Sequence, residues 1–244
     1  MSAPVLALIV VTLAFLVWER VTPGRPLPRS AGWYWRALSI NLIQLIITVA
    51  IGLLWQRWWN GASLVSLATF GNPAAEGFVG WFVGTFVFYW WHRLRHRKGW
   101  WQVFHQVHHS PSRIEVVTSF YKHPIEILCN SLLTSAVLFP LLGASAAAGA
   151  WYNLFAALGE YFYHANVRTP RWLRYFVQTP ELHSVHHQYD FHSRNYSDIP
   201  LWDRLFGTYQ DTVEFTPRCG FPAGAEEKLG QMLLFRDVYG GGDV

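Results

Sequence analysis

The chain has 244 residues, of which 52% are hydrophobic and only 14% are charged. Soluble domains carry about 25% charged residues, so this composition argues against an ordinary soluble protein. Fourteen tryptophans fit a membrane protein, because tryptophan collects at the membrane–water interface. The net charge of +4 does not indicate nucleic-acid binding, because the basic residues flank apolar runs and form no separate arm. The two cysteines form no CxxC pair, so neither a zinc-finger nor a disulfide framework is expected.

Five apolar runs along the chain are long enough to consider as membrane segments. They cover residues 3–18, 37–55, 77–91, 125–142 and 145–163. The first and third are short for a hydrocarbon core of ~30 Å, so they either extend past their apolar limits or fail to span fully. Gly80 and Gly84 form a GxxxG pattern on the third run, which permits close helix contact. We predict an all-α integral membrane bundle of four to five membrane helices, with a cytoplasmic histidine-rich helical cap.

The apolar runs and the histidines between them predict one membrane domain over residues 1–244, without a second domain. Its predicted parts are N-terminal membrane helices (1–91), a first histidine-box region (92–124), a membrane helical hairpin (125–163), a second histidine-box cap region (164–220) and a C-terminal tail (221–244). Residues 171–177 mix basic and aromatic side chains. That pattern suits an interfacial helix or a packed amphipathic helix of the cap.

The distribution of lysine and arginine predicts the orientation. If the third run ends on the cytoplasmic side at His92, the loop 19–36 is also cytoplasmic and residues 56–76 lie outside. Arg57 is then the only basic residue outside among the loops of the bundle, as the positive-inside rule favours. We therefore predict a multi-pass protein with an outside N-terminus and with the histidine boxes and C-terminus in the cytoplasm.

Eight histidines occur in three dense groups. These are an HxxxH pair and two HxxHH boxes: His92 and His96; His105, His108 and His109; His183, His186 and His187. On a helix, residues at i, i+3 and i+4 share one face, so each box is predicted to aim its imidazoles at one point. Neutral imidazole is a good ligand for zinc, copper, iron or nickel. The pattern predicts metal binding, and the spacing does not select the metal.

Six motifs occur in an order that resembles the fatty acid hydroxylase/sterol desaturase superfamily of integral membrane di-iron enzymes. They are HRLRH, HQVHH, YKHPIE, YHANV, HSVHH and NYSDIPLWDRLFGTY, and the resemblance covers residues 88–209. It implies ten metal ligands and no catalytic residues beyond them: His92, His96, His105, His108, His109, His123, His164, His183, His186 and His187. Ten nitrogens suffice for two iron ions with about five each, and zinc is able to replace iron in purified protein.

Three positions lie outside this ligand set or depart from the family pattern. His192 is left over from the ligand set, and we expect a surface role or one behind the ligands. Ser197 stands where the family usually has glycine. Glu160 lies where some members carry another histidine, so that its carboxylate either binds metal or holds a ligand imidazole.

By the same resemblance, the expected activity is hydroxylation of a lipid C–H bond with O₂ and external electrons. Desaturation is the alternative, since both reactions begin with hydrogen abstraction. The substrate class stays open between a fatty acyl chain, a sterol-like ring, an ether lipid and a carotenoid.

The electrons are expected from a separate ferredoxin or cytochrome b5 type carrier with its reductase, because the chain has neither a GxGxxG fingerprint nor a cytochrome b5-like domain. Arg93, Arg95, Arg97 and Lys98 are candidates for steering that carrier, or for binding anionic lipid head groups instead.

A membrane metal transporter or metal-binding protein is the alternative of another class, and a membrane cytochrome is a third. Either would place histidines inside the apolar runs. The five runs contain none, which favours the enzyme.

Overall fold

The computed structural model describes residues 2–58 and 62–239, without the side chains of residues 55–58. Every regular segment in these ranges is helical, and the only β-type pairing there is an isolated antiparallel bridge between Gln188 and Cys219. The predicted all-α fold class is confirmed. Two predictions fall partly outside the described residues: the placement of Arg57 and residues 59–61 outside the membrane, and the C-terminal tail at residues 240–244.

Five long helices form the bundle, and five short helices follow α3 and α7 in the chain after their histidine-bearing ends. The long helices are α1 (Ala3–Val21), α2 (Trp33–Trp58), α3 (Pro73–Arg95), α6 (Pro124–Ala136) and α7 (Ala146–His164). The short helices are α4 (Trp101–Phe104), α5 (Gln106–His109), α8 (Pro180–His186), α9 (Pro200–Leu205) and α10 (Leu229–Met232). A π-helical segment, Val137–Leu141, continues α6 as far as the hairpin turn.

Three helical segments are long and apolar enough to cross a membrane: Ala3–Val21, Trp33–Leu54 and Pro124–Leu141. Only 11% of the residues in the first two windows are buried inside the protein, so most of their apolar surface is available to lipid. The other two predicted runs lie on α3 and α7. These helices are long enough to cross a membrane, but they are less apolar than the three segments named above. These two helices pack against each other, and α7 also packs against α1.

The α3–α7 contact depends on glycine. A Cβ atom at Gly77 would lie 2.6 Å from Cβ of Trp151, and one at Gly84 would lie 2.8 Å from Oη of Tyr152. Real Cβ atoms do not approach so closely, so a larger side chain would push the helices apart. Of the two glycines in the GxxxG pattern, Gly84 lies at the contact with α7, whereas a Cβ atom at Gly80 would first meet Leu138 of the π-helical segment.

The loop before α3 and the hairpin turn lie together at one end of the bundle. Leu64 N donates to Pro140 O at 2.9 Å, and Ala68 N donates to Gly143 O at 3.0 Å. His92 and His164 lie in the last turns of α3 and α7, at the other end of the bundle from this loop and turn. The relative placement agrees with the predicted topology, whereas the side of the membrane on which each end lies stays a prediction.

Candidate metal centre

Three helix ends carry histidines to one region of the molecule. α3 begins after Asn72, whose side chain accepts from two backbone N–H groups, and it ends with His92 in its last turn and His96 as its C-cap. α7 ends on His164. α8 begins after Thr179, whose hydroxyl accepts from a backbone N–H, and has proline at its first position. Two long helices and one short capped helix thus fix the positions of the histidines that they carry.

Nine histidines form two groups, within each of which one nitrogen per ring lies within 4.8 Å of all the others. The five-histidine group contains His92, His96, His105, His109 and His186. The four-histidine group contains His108, His164, His183 and His187. All nine side chains are buried. The structure thus brings together nine of the ten predicted ligand residues, as five plus four rather than five plus five.

Each HxxHH box is divided between the two groups. His105 and His109 join one group while His108 joins the other, and the second box is divided in the same way. The expectation that one box aims at one point is therefore wrong. His105 interrupts the helix, with φ −134° between α4 and α5. The two groups also touch, since the rings of His109 and His187 stack at 4.2 Å.

His123 is the predicted ligand that the structure does not bring to either group. It is the N-cap of α6, where its Nδ1 accepts from Ile125 N at 3.1 Å. Its other ring nitrogen lies 3.4 Å from the carbonyl oxygen of Leu233, and its ring lies 5.0 Å from that of Phe235. These contacts give His123 a capping and packing role in this structure.

His192 lies behind the five-histidine group. Its Nδ1 is 3.2 Å from Nδ1 of His109, and its side chain is buried against Trp101. Of the two roles expected for His192, the structure supports the one behind the ligands and not a surface role.

The Nε2 atoms of the four-histidine group converge on one point, as the ligands of a bound cation do. Nε2 of His164 lies 3.3 Å from Nε2 of His108 and 3.1 Å from Nε2 of His183, which is itself 3.1 Å from Nε2 of His187. Each Nε2 carries either one proton or one lone pair, so the three contacts cannot all be hydrogen bonds at once. Nδ1 of His164 faces the carbonyl oxygen of Glu160 at 2.9 Å, which places its proton there and leaves a lone pair on Nε2.

The five-histidine group follows the same rule. Nδ1 of His92 faces the carbonyl oxygen of Tyr196 at 2.5 Å, and Nδ1 of His186 faces that of Arg194 at 2.8 Å. Neither nitrogen of His96 has a hydrogen-bond partner, although the ring is buried. Buried polar atoms without partners are costly, and a bound metal ion removes that cost. The donor sets of both groups therefore fit metal ions.

Burial keeps these imidazoles in the form that binds metal. Burial, and then charge on neighbouring groups, lowers the pKa of the cap histidines well below 6.5, and lowers the pKa of His186 to about 3. The cap histidines with this downward shift are His105, His108, His109, His183 and His187. Because the neutral ring carries the lone pair, the ligands are ready at neutral pH.

Glu126 holds one ligand of the five-histidine group. Its Oε1 lies 3.2 Å from Nδ1 of His105 and is paired with the guanidinium of Arg95. Arg95 is only 4% exposed, so the expectation that it is free to meet a carrier is wrong. The HPxE motif contains Glu126, but its spacing in the sequence gives no sign that it reaches a histidine 21 residues away.

Glu160 has the matching position in the four-histidine group. Its Oε2 lies 3.5 Å from Nδ1 of His164, and its Oε1 lies 2.5 Å from Nζ of Lys122. This places Glu160 on the side of the ring that faces away from the converging Nε2 atoms. Of the two roles left open by the sequence, the geometry favours holding the imidazole.

The last motif builds the loop that presents two of the orienting carbonyls. Asp203 accepts from Tyr196 N at 2.8 Å and from Ser197 N at 2.9 Å. Asn195 has φ +47° and donates to Leu182 O at 3.0 Å, which ties the loop to α8. Ser197 is not among the described residues with positive φ, so its backbone does not require the glycine that the family usually has.

The basic residues near the first box divide by exposure. The guanidinium of Arg93 lies 5.1 Å over the ring of Trp90 and is half-buried, whereas Arg97 and Lys98 are exposed in the turn after α3. Trp101, directly after this turn, is 1% exposed and packs 5.2 Å from His109. Trp101 therefore packs inside the site, beside the histidines, and not at an exposed interface.

Comparison with known proteins connects this site to a family. The family model described as fatty acid hydroxylase matches residues 77–208. A very-long-chain aldehyde decarbonylase of Oryza sativa subsp. japonica is 29% identical over 140 residues, which are 53% of this chain and 22% of that protein. An alkylglycerol monooxygenase of Xenopus tropicalis is 27% identical over 158 residues, which are 62% of this chain and 34% of that protein. An ornithine lipid hydroxylase of Rhizobium tropici is 32% identical over 139 residues, which are 54% of this chain and 41% of that protein.

The chain spans less than half of the length of each of these relatives. No solved structure matches it significantly. The matched range begins on α3 and ends just after α9, so that it includes all nine grouped histidines. On this match, the chain belongs to the fatty acid hydroxylase family.

Proposed function

We propose that this chain is a membrane di-iron oxygenase that hydroxylates a C–H bond of a lipid, using O₂ and electrons from outside. The observation that carries the proposal is the pair of touching histidine groups, five and four residues in size, buried at one end of an apolar helix bundle. The relatives named as a monooxygenase and a hydroxylase support a lipid substrate, since both of their names refer to lipids.

Two bound irons would supply the activation of O₂ that oxidation of an unactivated C–H bond needs. The residues of the chain hold the ligand rings and exclude water. Backbone carbonyls orient His92, His164 and His186, and carboxylates orient His105 and His164. Because all nine rings are buried, bulk water has little access to the reacting groups.

Iron is proposed on the family resemblance, because an all-imidazole donor set suits zinc as well. The test is the metal content of protein purified from cells grown with iron-57 and limited zinc. We expect about two metals per chain, one for each histidine group. Well-folded protein with one metal or none would contradict the two-metal proposal.

We propose that a lipid tail reaches the site from the bilayer side. The histidines lie at the ends of α3 and α7, and the neighbouring α1 and α2 expose most of their apolar side chains. A metal transporter would instead place ligands near the membrane midplane, within its helices. In the described part of the chain, both histidine groups lie beyond the apolar runs, which favours the enzyme.

Hydroxylation is proposed ahead of desaturation. Comparative lipid mass spectrometry tests both, using cells that express the chain and matched cells that express His186→Ala. A lipid that gains one oxygen only with the intact chain supports hydroxylation, and one that loses two hydrogens would show desaturation. No lipid difference, with both proteins present and the intact chain loaded with iron, would contradict both.

Electrons are proposed to come from a separate ferredoxin or cytochrome b5 type carrier, docking near Arg97 and Lys98. Reconstitution with carrier and reductase across a salt series tests this, since screening weakens steering between charges. We expect Arg97→Glu to slow reduction at low carrier concentration and Arg168→Glu, far from the turn in sequence, to leave it unchanged. Sustained turnover with NAD(P)H and no added protein would overturn the proposal.

The orientation is proposed as cytoplasmic for the cap and outside for the loop before α3. Cysteine labelling in intact cells tests it, in a chain whose two native cysteines are replaced. A cysteine at position 66 should react with an impermeant reagent, and one at position 227 should react only after permeabilisation. Both positions are exposed in the structure. The opposite pattern would reverse the topology.

A further inference from the structure

A row of large apolar side chains runs along one face of α3. Phe78, Phe82, Phe86 and Trp90 are spaced by four residues, and each is between 39% and 48% exposed. Side chains at this spacing lie on one face of a helix. Since α3 belongs to the membrane bundle, we take this face to be lipid-facing.

Helix α9 lies against the same face. The ring of Trp202 is 5.1 Å from that of Phe86 and 6.1 Å from that of Phe82, and its Nε1 donates to Oγ1 of Thr85 at 2.8 Å. Phe82 lies ten residues before His92 on α3, which is a distance of about 15 Å along a helix with 1.5 Å rise per residue. The cap therefore reaches down beside α3, well below the level of the histidines.

The outer side of α9 carries two exposed leucines beside the exposed Arg204, and the carboxylate of this helix is satisfied from within the protein. Leu201 and Leu205 are 48% and 65% exposed and share one face of the helix. Between them, the buried Asp203 accepts from two backbone N–H groups and from Oγ1 of Thr208 at 2.7 Å. Internal satisfaction of polar groups is what a segment in lipid requires.

The neighbouring segment Arg171–Tyr175 adds aromatic and basic groups. It forms a 3₁₀ turn instead of a long helix, and Trp172, Tyr175 and Phe176 are at least 50% exposed. The guanidinium groups of Arg174 and Arg204 lie 4.6 Å and 5.3 Å over the ring of Tyr175, which joins this segment to α9. Aromatic rings beside arginines are typical of the membrane–water boundary.

We propose that this surface, which we call the α9 surface (Trp172, Tyr175, Phe176, Leu201 and Leu205), is embedded in the lipid leaflet on the histidine side of the bundle. The occupant is the bilayer itself, because α9 packs through Trp202 against the partly exposed apolar face of α3. The cap is then partly a membrane-inserted element, and the histidine groups lie close to the boundary of the leaflet. This inference does not depend on which reaction the chain catalyses.

Spin labels on single cysteines in lipid nanodiscs test the proposal, in a Cys129→Ala, Cys219→Ala background. Leu205→Cys and Phe176→Cys are the test positions, and both replace side chains that lie mostly outside the packed interior. Leu45→Cys on α2 is the lipid control and Glu227→Cys is the water control, since both residues are exposed. Retained metal content of each labelled variant shows that it is folded.

We expect labels at positions 205 and 176 to be relaxed by oxygen more than by a water-soluble nickel chelate, as at position 45. Relaxation like that at position 227 would place the surface in water and overturn the proposal. Poor access to both reagents, with spin–spin broadening that disappears when labelled protein is diluted with unlabelled protein, would show that a second copy covers it. That result would overturn the proposal as well.

Discussion

The two histidine groups differ in what they take from the chain. The five-histidine group draws on α3, on α5 with the residue before it, and on α8, while the four-histidine group draws on α5, α7 and α8. Fewer protein ligands leave more positions for oxygen and substrate, as in catalytic metal sites generally. We therefore propose unequal roles for the two proposed metals: the five-histidine group would hold its ion more tightly, and the four-histidine group would expose it.

The carboxylates behind the two groups differ in the same direction. The side chain of Glu126 is fully buried and pairs with the buried Arg95. The side chain of Glu160 is 19% exposed and pairs with Lys122, which is 8% exposed. The pair behind the five-histidine group is thus the more rigidly enclosed of the two.

The largest expected effect separates the groups by loss of one ligand. His108→Ala leaves three histidines in its group, while His109→Ala leaves four in the other. We expect His108→Ala to lower the metal content from about two ions per chain to about one, and His109→Ala to lower it less, because four ligands still complete a tetrahedral shell. Metal analysis of folded protein measures this. Equal losses would remove the proposed inequality.

The second-largest expected effect is a loss of metal affinity when Glu126 or Glu160 is replaced. Loss of a group that orients a metal-bound histidine typically costs 10–100-fold in metal affinity. We expect Glu126→Gln to lie near the upper end, because it also leaves the buried Arg95 charge without its partner. Glu160→Gln should cost less, since water can reach its position. Competition with a chelator measures both, and Glu227→Gln at the surface is the control. A larger loss for Glu160→Gln would contradict the comparison.

A smaller effect is expected from the two histidines outside the groups. His192→Ala removes a contact to His109 and should weaken only the five-histidine group, by a few-fold at most. His123→Ala should leave metal affinity unchanged and lower stability by about 0.5–2 kcal/mol, because it removes an N-cap. Metal titration and thermal unfolding of the two variants separate these outcomes. Metal loss in His123→Ala would show that it binds a metal after all.

The smallest difference between the two histidine groups is expected in their release of metal on mild acidification. Burial lowers the pKa of cap histidines in both groups, so their neutral form persists well below pH 6.5. In the unfolded chain the same rings protonate near pH 6.5, so the free energy of unfolding falls as pH drops below that value. We expect both metals to stay bound between pH 7 and about 6 and then to be lost together as the cap unfolds. Release of one metal well before the other, followed by metal analysis at each pH, would contradict this.

Much of the fold was predictable because it depends on local pattern. Apolar runs predicted the long helices, and charged or histidine-bearing ends predicted where α3 and α7 stop. The number of membrane segments was less predictable. The helices α3 and α7 pack against each other through faces that contain polar and aromatic residues, so the mean hydropathy of each helix is lower than that of a helix surrounded by lipid. Gly84 of the GxxxG pattern lies at the predicted kind of contact, because close approach of two helices needs small residues.

The histidine boxes predicted the ligand residues but not their division. His108 and His109 are adjacent in sequence yet belong to different groups, because adjacent residues on a helix point about 100° apart and the two groups touch. Contacts such as that of Glu126 with His105 depend on tertiary packing between α4 and α6, for which the sequence has no periodic signal. His123 is the reverse case. The motif predicted a metal ligand, but in the structure the side chain of His123 caps α6 and does not reach either histidine group.

The division of both boxes has a consequence for how the protein is made. Each group takes members from both sides of the membrane hairpin formed by α6 and α7, so neither is complete until the ribosome has passed residue 187 and the hairpin has been inserted. A nascent or prematurely ended chain would offer only partial shells with weaker hold on a metal. Loading of the proposed irons would therefore come late in biogenesis, and cells short of iron would accumulate inserted, unloaded chains as substrates for membrane proteases.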